Sequence, residues 1–236
     1  LHPDSIVFAT TNKSGEGLGD ILQPHHRNRI TIVQIKKLGH LRGIEWGLDN
    51  DVDPVMLGWV KDNPHVAQSF EEVPNPQENT MIFHPKDPSR QSFWTWRSAE
   101  AASDILKKRH LMSNHMVTSA LMGTVGEQAA LQLMSFVNVA NELPSADSIK
   151  KDPDNAIVPT AAAAKCMVVY RTLSTIERDW VDAWMTYMER LDKEAQGLFV
   201  NGVRSEKYSK QSIVMQNKKF GEWSRNHGYM FQTDKV

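Results

Sequence analysis

At 236 residues, with 40% hydrophobic and 23% charged side chains, the chain can bury a core in one large or two smaller domains, and wholesale disorder is excluded. Its 28 acidic and 27 basic residues leave a formal net charge of -1, so no global field draws it to nucleic acid or anionic lipid. One cysteine, Cys166, excludes an internal disulfide and a multi-cysteine zinc site and fits a reducing, cytoplasmic compartment. The longest apolar run, 161–170, is broken by Lys165 and is too short to cross a bilayer, so no membrane partner is expected. No signal peptide is apparent, and the chain opens at Leu1 almost directly into an apolar run, which suggests a fragment or a processed chain.

Ile6, Val7, Phe8 and Ala9 form a continuous apolar run, ended by Thr10, Thr11 and Asn12. Such a run suits a strand buried on both faces of a parallel sheet, where ligands gather at the carboxyl ends of strands, and Asn12 falls at that end. Its carboxamide can hold a water or touch a phosphate oxygen; it can equally close a turn. Gly15, Gly17 and Gly19 do not make a dinucleotide loop, because Asp20 stands where G-x-G-x-x-G needs its third glycine. The phosphate loop G-x-x-x-x-G-K-[ST] is missing as well, since its nearest approach, 197–205, has Val203 in place of lysine. No second apolar strand ending in Asp-Glu is available to hold magnesium.

Residues 20–29 (DILQPHHRNR) predict a short helix or turn feeding a second strand over Ile30, Ile32, Val33 and Ile35. His25, His26, Arg27 and Arg29 make a compact cationic cluster, readable as a solvated turn, a local nucleic-acid contact or part of a phosphate site. Adjacent histidines are poorly placed to chelate one ion, and no third ligand stands nearby, so no metal site is expected.

The order strand-ATTN, glycine turn, short helix, Asn-Arg-hydrophobic, strand resembles the second half of an AAA+ ATPase core, in the MoxR-like and dynein-related branch that includes many phage ATPases. The resemblance implies that Asn12 is the first sensor and Arg29 the arginine finger that reaches a neighbouring subunit's nucleotide, with Arg27 the alternative finger. The chemistry agrees. An asparagine can orient the attacking water, and a guanidinium can neutralise charge developing on the transferred phosphoryl group.

Beyond Leu38 the pattern turns helical. A helix over 40–50 carries Leu41, Ile44, Trp46 and Leu48, and Pro54 opens a second with Val55, Met56, Trp59 and Val60 on its apolar side. A helix bearing Glu-Trp after the last core strand resembles the family's lid. Residues 73–92, with Pro74, Pro76, Pro85 and Pro88, read as a long irregular connection. Thr95 can cap a helix running to about 109. Arg97 lies in that helix's first turn, where positive charge opposes the dipole; an anion partner would explain it, and a surface pair with Glu100 is the plain alternative. By the resemblance Arg97 is the second sensor, touching the γ-phosphate from the lid, although Trp96 stands where relatives carry proline.

Helices over 113–122 and 126–143, joined by 123–126, follow, and the phrase LMGTVGEQAALQLMSFV closely resembles the family's lid. Residues 146–158 read as loop-rich and 160–173 as a helix. Residues 176–197 read as one helix with Trp180, Trp184, Met188, Leu191 and Ala195 on a face that is either core or a partner groove, and Glu189 and Lys193 paired on the exposed side. Residues 209–229 predict a final helix.

The expected class is therefore mainly α: a two-strand remnant of an AAA+ α/β core over 1–37, a helical lid over 38–150, and a helical extension over 151–236. The function implied by the resemblance is part of an ATP-hydrolysing remodelling ATPase, in the cytoplasm of a bacterium or a phage-infected host. The intact parent would use ATP and Mg2+, assemble into a ring such as a hexamer, and act on a protein substrate or adaptor. This chain, lacking the phosphate loop, is expected to bind neither nucleotide nor metal tightly and to be inactive alone. Two alternatives stay open: a non-enzymatic helical interaction module using the Trp/Met faces, and a DNA-associated AAA+ motor contacting DNA through HHRNR.

Overall fold

The computed structural model describes residues 2, 4–10, 29–141, 143–205 and 208–231. The protein is mainly α, with 62% helix and 1% strand, a balance that leaves helices as the only layers a core can form between. Among the described residues the α-helices are α1 (His40–Asp49), α2 (Pro54–Asp62), α3 (Trp96–Lys107), α4 (Asn114–Val125), α5 (Glu127–Asn141), α6 (Ala146–Lys151), α7 (Ala162–Thr175), α8 (Val181–Met188), α9 (Lys193–Arg204), α10 (Gln211–Met215) and α11 (Lys218–Asn226).

Two helices form the centre. In α2, Val55, Met56, Leu57, Gly58, Trp59 and Val60 are all buried, the signature of a helix that is apolar all round because it has neighbours all round. In α7 the run from Cys166 to Tyr170 is likewise buried. The two pack closely because Gly58 carries no side chain: a Cβ there would come 2.5 Å from the Met167 side chain. Burying the four aliphatic side chains of α2 is worth roughly 2 kcal/mol each. α1 covers one side, and α4 and α5 form an antiparallel hairpin against α2 and α3. α9 closes over α7 with Gly202 against Leu173. The buried apolar residues form one continuous cluster from Ile44 to Trp223, running across residue 150.

Local chemistry sets the helix starts. Pro54 occupies the first turn of α2, and Asp53 caps it by accepting from the Val55 N–H at 2.8 Å. The Asp53 carboxylate is also held by Arg109 at 2.9 Å, so one buried side chain ties α2 to the end of α3. Thr95 caps α3 as expected, in a reciprocal arrangement: Thr95 Oγ1 accepts from the Ser98 N–H and Ser98 Oγ accepts from the Thr95 N–H.

Several expectations are corrected. The strand over 6–9 and the strand over 30–35 do not form among the described residues. Both segments lack strand pairing, and Ile6, Val7, Phe8, Ile30, Ile32, Val33 and Ile35 are exposed rather than buried. Short apolar strands need partners for their backbone groups, and the helical body offers none to these two. Residues 146–158 are not all loop, because Ser145 caps α6 through the Ser148 N–H. Gly123 lies inside α4, and the turn falls at Gly126, whose φ of 89° and close approach to the Ser92 carbonyl suit glycine alone.

The helix expected over 176–197 breaks after α8. Asp192 starts a new helix by accepting from the Ala195 N–H at 3.0 Å, Lys165 holds the same carboxylate at 2.6 Å, and Gln196 Nε2 donates to the Leu191 carbonyl at 2.9 Å. The break folds Phe199 back onto Trp184, with ring centroids 5.3 Å apart. Glu189 and Lys193 therefore sit on either side of the break and do not pair; the Lys193 ammonium lies over the Tyr229 ring instead. The helix over 209–229 is likewise divided into α10, α11 and a last 3-10 turn, with Asn217 capping α11.

Candidate functional site

The expected sensor Asn12 and the alternative finger Arg27 lie outside the described residues. Arg29 is exposed, in a turn at the start of an extended arm, 29–39, that leads into α1. Arg97 is exposed in the first turn of α3. Among the described residues nothing hydrogen-bonds or ion-pairs with the Arg97 side chain, and the surface pair with Glu100 does not form. No polar contact among the described residues joins Arg29 to α3.

What the structure does bring together is the end of the arm and the start of α3. Lys37 sends its ammonium to the Gln68 carbonyl at 2.6 Å and the Val66 carbonyl at 3.3 Å, and lies 5.5 Å from the centre of the Trp94 ring. Val66 and Gln68 end a 3-10 turn, Pro64–Ala67, so the cation meets carbonyls that the turn leaves unpaired. One residue on, the Leu38 carbonyl accepts from Trp96 Nε1 at 2.9 Å. The Trp96 ring covers Gly43 of α1, where any Cβ would come 1.7 Å from it. Trp46, Trp96, Trp94 and Trp59 form a continuous chain of edge-on and tilted rings, with centroid separations of 6.0, 4.9 and 6.4 Å. Trp96 thus has a local role that proline could not fill: it fastens the arm to the helix that carries Arg97.

The environment of Lys37 has opposing electrical effects. The residue as a whole is exposed, yet its ammonium reaches two body carbonyls, and burial pushes it down to about 8 while Glu72 works the other way. The two carbonyls and the Trp94 face also favour the charged form.

A second fastening lies in the irregular connection. Arg90, with its side chain 9% exposed, donates from Nε to Asp87 at 2.9 Å and from its terminal nitrogens to the carbonyls of Asn79, Ile82 and Pro76. Asn79 in turn donates to the His65 carbonyl at 2.8 Å and to Gln68 Oε1. The Trp94 N–H donates to the Met81 carbonyl at 2.7 Å, so residues 76–94 are a knotted loop that backs the Lys37 and Trp96 contacts. Neither Lys37 nor Arg90 stood out in the sequence. The legible signals were Trp94 and Trp96 flanking a capping Thr95, and a lone arginine in a proline-rich stretch.

Other chemistry is sparse. Cys166 is buried, and burial pushes its thiol up to about 11, so it stays protonated and unreactive at neutral pH. No group of His, Cys, Asp and Glu side chains that could hold a metal exists among the described residues. Trp180, Trp184, Met188, Leu191 and Ala195 are all buried, so the face read as core or groove is core. No described helix is long and apolar enough to cross a membrane.

These features define a mainly helical protein with an apolar arm fastened at the base of a Trp-rich body. No family model matches the chain, and no curated protein and no solved structure shows a match to it.

Proposed function

We propose that this chain is the sensor and lid portion of a MoxR-like AAA+ remodelling ATPase, in which Arg97 touches the γ-phosphate from the lid and Arg29 reaches a neighbouring subunit's nucleotide. The observation that carries this reading is Arg97 itself. Around it Thr95, Trp96 and Ser98 all have hydrogen-bond partners, whereas the Arg97 guanidinium is exposed, has none among the described residues, and sits at a helix end that local electrostatics disfavours for a cation. An anion arriving at that end would meet both the guanidinium and the dipole. Support also comes from the α4–α5 hairpin, where the lid-like phrase forms two packed helices turned at Gly126. ATP, Mg2+, Asn12 as the water-positioning group, a ring of subunits and a protein substrate belong to this same proposal.

The test uses the parent protein, in which the chain is joined to its phosphate-cradling half. Arg29→Ala should lower ATP turnover about a thousandfold, in the range seen for arginine fingers, while a fluorescent ATP analogue still binds. Arg97→Ala should uncouple lid position from nucleotide state. Simultaneous loss of binding and turnover in Arg29→Ala, or an unchanged nucleotide response in Arg97→Ala, would count against the proposal. So would robust magnesium-dependent turnover by this chain alone.

A further inference from the structure

We propose that the cleft between α1 and α9 is a binding site for a small neutral molecule with an apolar body and one carbonyl oxygen, the oxygen accepting from the Tyr170 hydroxyl. Three tyrosines are buried in the helical body, and a buried hydroxyl ordinarily finds a partner. Two of them do. Tyr187 donates to the Ile157 carbonyl at 2.8 Å, and Tyr208 donates to the Leu173 carbonyl at 2.6 Å. Tyr170 of α7, 1% exposed, has no hydrogen-bond partner for its hydroxyl among the described residues. It lines the cleft, where it is the buried side chain that carries a hydrogen-bonding group.

The cleft is a built feature of the helix packing. α1 is seated on α2, where a Cβ at Gly47 would come 2.6 Å from the Leu57 side chain, and α9 is seated on α7, where a Cβ at Gly202 would come 2.4 Å from Leu173. The gap left between them has a volume of about 1010 Å³, at the upper end of the range for small-molecule clefts. Its walls are apolar on both sides: Leu41 is 58% exposed, and Trp46, Leu48 and Leu198 are half-buried. Burial, followed by the fields of Cys166 and Glu194, pushes the Tyr170 hydroxyl well up, so it stays protonated and offers a hydrogen. A carbonyl oxygen accepts that hydrogen and brings none of its own that would need a partner. Charge around the cleft favours a neutral ligand. Arg42, Lys61 and Arg204 stand against Glu45 and Asp49, and Lys61 is matched by Glu194 at 3.5 Å. A carboxylate at the floor would lose its water and meet the field of Glu194. Neither Arg29 nor Arg97 lines the cleft, so the site is separate from the nucleotide reading.

The experiment follows the backbone amide resonances of the intact chain as 4-phenyl-2-butanone is added, without nucleotide. Saturable shifts centred on α1, α7 and α9 are expected. The counterpart 3-phenylpropionate, which has the same body with a carboxylate in place of the ketone, should bind about tenfold more weakly or worse. Tyr170→Phe removes one oxygen that has no partner to lose, so Tm should not fall, whereas affinity for the ketone should drop about tenfold. Leu41→Glu, at an exposed wall position, should abolish saturation. The absence of saturable shifts in these helices overturns the proposal, as does unchanged ketone affinity in Tyr170→Phe. Tighter binding of 3-phenylpropionate than of the ketone overturns the neutral class. If Tyr170→Phe fails to fold, Leu41→Glu decides, and undiminished binding in that variant overturns the site. A failed ATPase assay leaves these results untouched, and an empty cleft leaves the ATPase proposal untouched.

Discussion

Replacing Arg90 by Met tests whether the proline-rich connection is a built part of the body or a passive loop. The guanidinium makes contacts with Asp87 and with three carbonyls, and its side chain is 9% exposed. Methionine fills similar apolar volume and donates nothing. Of the three carbonyls, those of Asn79 and Ile82 belong to buried residues, 5% and 1% exposed, and lose their donor without access to water. Each orphaned buried acceptor costs roughly 1–3 kcal/mol, and the Pro76 carbonyl and the Asp87 carboxylate, being partly solvated, add little. The expected loss is therefore about 3 kcal/mol, or a fall in Tm of roughly 6–12 °C for a chain of this length. Urea denaturation followed by tryptophan fluorescence is the assay, because Trp94 and Trp96 sit beside the knot. A loss below about 1 kcal/mol would show that water or relaxed backbone satisfies these carbonyls and that the knot is not what holds 76–94 in place.

Gly43→Ala should cost about 1–3 kcal/mol and should shift tryptophan emission, since the new Cβ would collide with the Trp96 ring and force it off α1; stability within about 0.5 kcal/mol of the parent would mean that the ring moves freely. Asp192→Ala should cost about 1 kcal/mol by uncapping α9. The Lys165 hydrogen bond, chiefly, and the Ala195 N–H hold the Asp192 carboxyl below its usual value. A lowered folded value means the stabilisation is present above the unfolded value, about 3.9, and is lost as pH falls through the folded value, so the gap between parent and variant should be constant near pH 6 and close on acidification. A gap that persists in acid would assign the effect to packing and not to charge.

Much of the helical body was legible in the sequence because its causes are local. The Pro54 start of α2, the Thr95 cap of α3 and the apolar periodicity of α1, α4 and α5 all follow from neighbours within a turn or two. The candidate site was half legible: Arg97 stood out because its charge is wrong for its position, a judgement that needs only the helix register. The carbonyls that hold Lys37 and Arg90 lie up to 31 residues away, and every residue carries one, so no residue type in the sequence marks them.

The sequence by itself determined that the chain is helical and where most helices begin, because capping and periodicity are short-range effects. Only the tertiary structure decided that Asp192 breaks the helix expected over 176–197, since the gain lies in bringing Phe199 onto Trp184 and Lys165 onto Asp192. It also decided the fate of the two apolar runs near the start. Their composition suits buried strands, yet strand formation depends on hydrogen-bond partners from other segments, and among the described residues the helical body holds Lys37 and Leu38 just beyond the second run and pairs with neither run.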